Sequence, residues 1–345
     1  MPATDPVSRA ISALAERRDI PASLAAQAFG QVMAGEASPV QTAALLVALR
    51  VKGETAEEVE GAVLALRAEM LRVDPGSAAR LVDTCGTGGG VIGTFNISTA
   101  AAFVAAGAGA RVVKHGNRSF TSRCGSADVL EALGVDIQLE PARAARVLER
   151  CGMTFLFAPL YHPAMRHVGP VRRELGLATI MNLLGPLANP AGATRQLIGV
   201  ASAERAPLLA STLALLGAER ALVVHASAGL DEVAPPGLGA TEVHEVLRGT
   251  VRRWTLDGGR YGLAAGEAAA LAGGSPEDNA RIVTAILGGA DQSVRRSAVV
   301  INAAAALVAA GVAEPWEEAV RRAGESIDSG AAAAVLEGLR RESRG

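Results

Sequence analysis

The sequence predicts an α/β protein with a small all-helical amino-terminal domain and a large α/β domain around a mostly parallel central sheet. Three observations carry this. Up to about residue 72 the segments between turn signals read as helices, with no strand pattern among them. Beyond Asp74-Pro75-Gly76, short apolar strands alternate with Ala-rich helices, the pattern of βαβ units. The segments richest in glycine and charge follow directly on strands, and ligands of open α/β sheets bind at the carboxyl ends of strands.

The helical part holds ISALAERRDI, PASLAAQAFGQVMAGE, SPVQTAALLVALRVKG and TAEEVEGAVLALRAEML. Ser38 before Pro39 is a cap and first-turn pair, and Thr55 with Glu58 three residues on forms a capping box. The expected boundaries are 1–73 for this domain, joined by helices from about 165–185, and 77–345 for the α/β domain. In the latter, ARLVDTC precedes STAAAFVAAGAG, ARVVKHG precedes SADVLEALG, and TFLFAP, QLIGVAS and RALVVHA supply further strands. TEVHEVLRGTVRRWTLDGG reads as two short strands joined by a turn, and the chain returns to helix from about residue 275.

The formal net charge of −2 argues against broad binding to nucleic acid or a membrane surface. No apolar run approaches the ~20 residues a membrane span needs, and the amino terminus lacks the pattern of a signal peptide. A cytoplasmic protein is expected. Cys85, Cys124 and Cys151 show no metal-binding spacing and read as reduced packing residues.

Residues 83–99, DTCGTGGGVIGTFNIST, contain Gly88-x-Gly90-x-x-Gly93 after a strand. A dinucleotide site would want an acidic residue about 20 positions further on. From Thr84 to Ala127 there is no Asp or Glu at all, an absence that chance would produce about one time in a hundred. A nucleotide-triphosphate loop would want a Lys directly after the glycines, and none comes before Lys114. What the stretch offers is Arg111, Lys114, Arg118 and Arg123, with Asn96, Ser98 and Thr99 where a helix starts. Loop amides, helix-start hydroxyls and cations together make an anion cradle. Asp231-Glu232, after the strand ALVVHA, supplies the opposite charge and suits Mg²⁺, which bridges carboxylates to substrate phosphates.

CGTGG, TFNIST, KHGNRS, GSADVLEALG, HPAMRHVGPVRRELG, NLLGPLANP and GLDE occur in this order over nearly the whole chain. In that series the chain resembles the anthranilate phosphoribosyltransferases, which join anthranilate to phosphoribosyl pyrophosphate in tryptophan biosynthesis. The resemblance implies a fold of the nucleoside phosphorylase/phosphoribosyltransferase type, an active site between the two domains, a homodimer formed through the helical part, and Mg²⁺ as cofactor.

Carried over, it implies that Gly86, Gly89, Gly90 and Thr94 contact the donor, and that Asn96, Ile97, Ser98 and Thr99 cradle its pyrophosphate. Lys114, His115, Gly116, Asn117, Arg118, Ser119, Phe120, Thr121, Ser122 and Ser126 line the same donor site. Gly86, Asn117 and Arg172 reach anthranilate, with His115 and His162 near the acceptor path. Ser98, Asp231 and Glu232 hold the metal, and Lys114, Asp231 and Glu232 are the catalytic group. Gly90 stands where the family usually has aspartate, and FTSR replaces the commoner VSSK.

Two alternatives stand beside this reading. A pyrimidine nucleoside phosphorylase shares the architecture and a phosphate-binding glycine loop but needs no Mg²⁺, and KHGNRS, NLLGPLANP and GLDE favour the transferase. A noncatalytic nucleic-acid-binding relative should be net basic and could dispense with the carboxylates.

Overall fold

The computed structural model describes residues 5–76, 80–88, 92–119 and 123–345. The chain opens with α1 (Pro6–Ala15), α2 (Ala22–Ala34), α3 (Pro39–Lys52) and α4 (Ala56–Ala68). Both sequence-level helix starts are real. Ser38 and Gln41 close a reciprocal capping box, as do Thr55 and Glu58, each worth about 1 kcal/mol. Glu58 is fully buried and also accepts from the Ile20 amide at 3.1 Å and pairs with Lys52 at 3.0 Å, so one carboxylate ties three segments. The first helix lies earlier than its apolar pattern suggests. Asp5 caps it by accepting from the Ser8 amide at 3.0 Å, Pro6 presets its first turn, and it stops at Ala15 before the charged ERRD.

The large unit continues with β1 (Leu81–Gly86), α5 (Ile97–Gly107), β2 (Arg111–Gly116), α6 (Ser126–Ala132), α7 (Pro141–Cys151) and β3 (Met153–Phe157). The chain then makes α8 (Ala158–Tyr161), α9 (Met165–Leu175) and α10 (Met181–Leu187), followed by β4 (Arg195–Gly199), α11 (Ala206–Leu215) and β5 (Arg220–Ala226). The hairpin β6 (Thr241–Leu247) and β7 (Thr250–Leu256) precedes α12 (Pro276–Leu287), α13 (Val294–Ala310), α14 (Trp316–Asp328) and α15 (Ala331–Arg344).

The seven strands form one sheet in the order β3-β2-β1-β4-β5-β6-β7, parallel from β3 to β5 and antiparallel at β6 and β7. The inner parallel strands β2, β1, β4 and β5 are mostly buried on both faces, which is why they read as largely apolar runs. One face packs on α5 and α13, whose Ala- and Val-rich sequences are buried nearly all round. The other face, through Ile198, Val200, Ala221 and Val223, shares a core with the helical part.

Helices α9 and α10 pack on α2, α3 and α4, and Arg67 of α4 donates twice to the Leu187 carbonyl at 2.9 and 2.6 Å. The connecting segment is held by backbone bonds from Leu71 to Tyr161 and from Val73 to Pro190. Consecutive strands run outward on one side as β1-β2-β3 and resume on the other side at β4. The carboxyl ends of β1 and β4, where the strand order reverses, are where open sheets of this kind form their ligand-binding crevice.

Candidate active site

The crevice is bounded by the ends of three strands and the start of one helix. β1 ends at Gly86, in register with Gly199 at the end of β4. β2 brings Lys114, His115 and Gly116 to the same edge, and the turn after β5 carries Asp231 and Glu232. α5 begins at Ile97 with its positive dipole end here; the amides of Ile97 and Thr99 already donate to the Phe95 and Asn96 carbonyls at 2.7 and 3.1 Å.

The loop is tight where glycine permits it. A Cβ on Gly86 would lie 3.3 Å from the Asp231 Oδ2 and 3.4 Å from the Gly199 carbonyl, and Thr87 donates to that carbonyl at 2.9 Å. Gly88 takes φ +68°, a conformation that L side chains rarely adopt.

Lys114 is almost wholly buried. Its ammonium donates to the Thr84 carbonyl and lies 3.3 Å from Ser98 Oγ and 3.4 Å from Thr84 Oγ1. Burial pushes its pKa down, while the charges of Asp83 and Glu232 work against that shift. Asp83 is buried on β1, accepting from the His115 amide at 3.1 Å and from Asn189 Nδ2 at 2.8 Å. Burial raises its pKa to about 6, opposed by Asn189, Lys114 and His115.

Asp231 and Glu232 are both shifted upward, first by burial, and for Glu232 next by its neighbour's charge. Glu232 Oε2 is buried without a hydrogen-bond partner. Two crowded carboxylates, one with an orphaned oxygen, disfavour their own ionisation and fit a hard cation, which reverses that preference.

His115 and His162 face each other with their Nε2 atoms 3.2 Å apart, and His115 Nδ1 lies 3.1 Å from the Gly185 carbonyl. A carbonyl only accepts, so His115 carries its proton on Nδ1. Its Nε2 then accepts from His162 Nε2–H, leaving His162 Nδ1 an unprotonated acceptor, and that atom is buried without a partner. Burial keeps both rings neutral, at about 3 for His115 and about 4 for His162, where the Ala188 backbone works against the shift. Arg172, on α9, makes no ion pair among the described residues, and burial lowers its pKa.

The structure corrects the charge reading in two places. Arg111 opens β2 and stands at the opposite, amino edge of the sheet, five residues or roughly 16 Å from Gly116, so it cannot belong to the cradle. Arg118 pairs with Asp128 at 2.8 Å and with Glu131, so acidic residues just beyond the acid-free stretch neutralise it. Asn96 does not cap α5 with its side chain. It donates to the Cys124 carbonyl at 3.2 Å and accepts from Asn279 at 2.8 Å, drawing α12 over the helix start. Thr99 is buried with its hydroxyl unpartnered.

Thr94 bridges to Ala272, Asn117 Oδ1 accepts from the Arg118 amide at 2.7 Å, and Ser126 Oγ donates to the Asn117 carbonyl at 3.3 Å. The amide of Ser119 lies 3.4 Å from Asp128 Oδ2. Gly89, Gly90, Phe120, Thr121 and Ser122 lie outside the described residues. Sequence reading missed the roles of Asp83, Asn189, Gly199 and Asn279; Asn189 falls inside the singled-out segment NLLGPLANP and a lone Asp stands in the strand LVDTC, while the other two offered no signal.

Two family models match the chain: "Glycosyl transferase family, helical bundle domain" over residues 8–70 and "Glycosyl transferase family, a/b domain" over 78–333. The anthranilate phosphoribosyltransferase of Herpetosiphon aurantiacus is 51% identical over 324 residues, covering 94% of this chain and 95% of that protein. That of Thermomicrobium roseum is 53% identical over 320 residues, covering 92% and 91%. The chain belongs to the anthranilate phosphoribosyltransferase family.

Solved structures of the family agree. The enzyme from Thermus thermophilus superposes with a TM-score of 0.91 at 42% identity, covering 99% of this chain and all of that one. The Saccharomyces cerevisiae enzyme in complex with phosphoribosyl pyrophosphate and Mg gives 0.89 at 28% identity, covering 99% of each. The family's order of segments is thus present in this fold from the first helices to the last.

Proposed function

We propose that this protein transfers the 5-phosphoribosyl group from phosphoribosyl pyrophosphate to anthranilate, with Mg²⁺, in tryptophan biosynthesis. The observation that carries the proposal is the placing of opposite charges across one crevice: a buried ammonium and a helix start on one side, two crowded carboxylates on the other.

The pyrophosphate of the donor would lie against the amides and hydroxyls of residues 96–99 and beside Lys114, with residues 86–94 and 116–126 around the phosphoribosyl group. The amine of anthranilate forms a bond to C1 of the ribose as the bond from C1 to the pyrophosphate oxygen breaks, inverting the anomeric centre. An aniline nitrogen is neutral at pH 7 and needs no strong base to attack. Orientation of the two substrates can supply roughly 7–11 kcal/mol of barrier lowering. Lys114 and the helix amides stabilise the negative charge that gathers on the departing group, fixed in place before the reaction begins. Asp231, Glu232 and Ser98 would hold Mg²⁺, which when bound supplies further charge neutralisation at the pyrophosphate. Arg172 would pair with the acceptor carboxylate, and Gly86, Asn117, His115 and His162 would lie on the acceptor side.

The helical part, residues 1–73 with helices from about 165–185, and the α/β part, residues 77–345, would act as two domains closing on the crevice. A homodimer through the helical part is supported by Val40 and Val51, 78% and 70% exposed and three helical turns apart on one side of α3. Three free cysteines suit a reducing cytoplasm. No helix among the described residues is long and apolar enough to cross a membrane.

The experiment follows anthranilate fluorescence with purified protein, phosphoribosyl pyrophosphate and Mg²⁺, with an EDTA control. Signal loss that requires both donor and metal is expected. Persistence of the signal under every metal condition refutes the reading.

A further inference from the structure

α13 is apolar and buried along nearly its whole length, and in its middle stands Asn302, 2% exposed. A primary amide in such a place costs stability unless it is hydrogen-bonded. Two of Asn302's three bonds go to one residue 69 positions earlier. Its Oδ1 accepts from the Val233 amide at 2.9 Å and its Nδ2 donates to the Val233 carbonyl at 2.9 Å. Its second Nδ2 hydrogen goes to the Ala298 carbonyl, one turn back in α13, at 2.8 Å. The side chain thereby treats Val233 as a neighbouring strand would, gripping its donor and its acceptor together.

Val233 is the residue after Glu232. The next amide, Ala234, donates to the buried Thr241 hydroxyl at 2.8 Å. On the upstream side, the carbonyl of Asp231 lies so close to β4 that a Cβ on Gly199 would sit 1.5 Å from it. The two carboxylates thus stand on a short turn anchored to α13, β6 and β4.

We propose that Asn302 is a positioning residue for the divalent cation: through Val233 it holds the backbone that aims Asp231 and Glu232 into the crevice. This rests on the reading that these carboxylates hold the metal. The chemistry is that of outer residues that orient a ligand set, whose loss typically costs about 10–100-fold in metal affinity.

The test uses the full-length protein, with Mn²⁺ as probe in the presence of phosphoribosyl pyrophosphate, read by the EPR signal of free Mn²⁺. Asn302→Leu removes every bond while keeping the branched shape and the number of side-chain heavy atoms. Asn302→Ser is the gentler variant, since a helical serine satisfies itself on the carbonyl four residues back, here Ala298, and abandons Val233 alone. Both are expected to weaken Mn²⁺ binding about 10–100-fold and to raise the Mg²⁺ concentration for half-maximal activity to match, with the KM for anthranilate unchanged.

A purely structural role predicts lower thermal stability with Mn²⁺ affinity within about twofold of wild type, and that result overturns the proposal. If Asn302→Leu does not fold, Asn302→Ser decides alone. The control is Asp231→Asn with Glu232→Gln. If it binds Mn²⁺ as the wild type does, the metal reading fails and takes this proposal with it. If it loses Mn²⁺ while the Asn302 variants keep it, only the positioning role fails.

Discussion

The clearest quantitative handle on the carboxylate turn is Gly199→Ala. Gly199 closes β4 and pairs in register with Gly86 on one side and Val224 on the other, so its own backbone has little room to yield. The added Cβ would fall 1.5 Å from the Asp231 carbonyl oxygen and 2.5 Å from its carbon, where ordinary contact begins at 3.4 Å. Restoring contact means moving the turn by about 1.9 Å, the difference between 3.4 and 1.5 Å. Misplacing a reacting group by 1 Å can cost about 100-fold in rate, and an overpacked core site costs about 1–3 kcal/mol of stability. Gly199→Ala should therefore lose at least about 100-fold in activity at fixed Mg²⁺. Gly86→Ala, whose nearest foreign atom is Asp231 Oδ2 at 3.3 Å, asks only a few tenths of an ångström and should shift the Mg²⁺ dependence far less than Gly199→Ala. Fluorescence assays across a Mg²⁺ series, with thermal melts of the same samples, measure both. A folded Gly199→Ala protein with rate and Mg²⁺ dependence within about threefold of wild type would refute the packing logic.

Other perturbations separate the remaining roles. Asp231→Asn with Glu232→Gln should cut turnover at limiting Mg²⁺ while raising metal-free stability at neutral pH, because burial disfavours both ionised carboxyls; unchanged kinetics would remove the metal assignment. Arg172→Ala should raise the KM for anthranilate by about ten- to a hundredfold, the worth of a charge-assisted bond of about 1.5–3 kcal/mol, and spare that of the donor. Equal effects on both substrates would dismiss it. His115 and His162, held neutral near 3 and 4, take up protons in the unfolded chain first, near 6.5. Each should subtract roughly 1.4 kcal/mol of stability per pH unit below about 6.5, until its folded pKa is reached. Buried Asp83, Asp231 and Glu232, whose folded pKa values are raised, oppose that decline as pH falls, so the histidine contribution is read as the difference between wild type and His162→Asn in urea unfolding from pH 7.5 to 5; a difference that does not change with pH would contradict the neutral His162.

Much of this was readable in one dimension because it is local. Ser38-Pro39 and Thr55 with Glu58 start helices through bonds that close within three residues. The alternation of apolar strands with Ala-rich helices dictates a parallel sheet, since parallel neighbours need a crossover. The glycine loop and Asp231-Glu232 stand out by composition alone. The charge reading erred where it used sequence nearness as a proxy for space. Arg111 and Lys114 are three residues apart in one strand, and a strand carries its residues from one edge of the sheet to the other. Arg118 lies in an acid-free stretch, yet Glu131, 13 residues on, reaches it once α6 folds back.

The sequence by itself determined the elements, the sheet's parallel character, and the residue types at the crevice, because propensity, capping and periodicity act over a few neighbours. Tertiary structure alone decided which distant groups meet: Asp83 with Asn189, His115 with His162, Gly199 with Asp231, and Asn302 with Val233. Each of these contacts joins residues far apart in the chain, and no local pattern encodes them. They follow only once the strand order puts β4 beside β1 and β5 and lays α13 across their face, where a buried amide or a missing Cβ acquires its meaning.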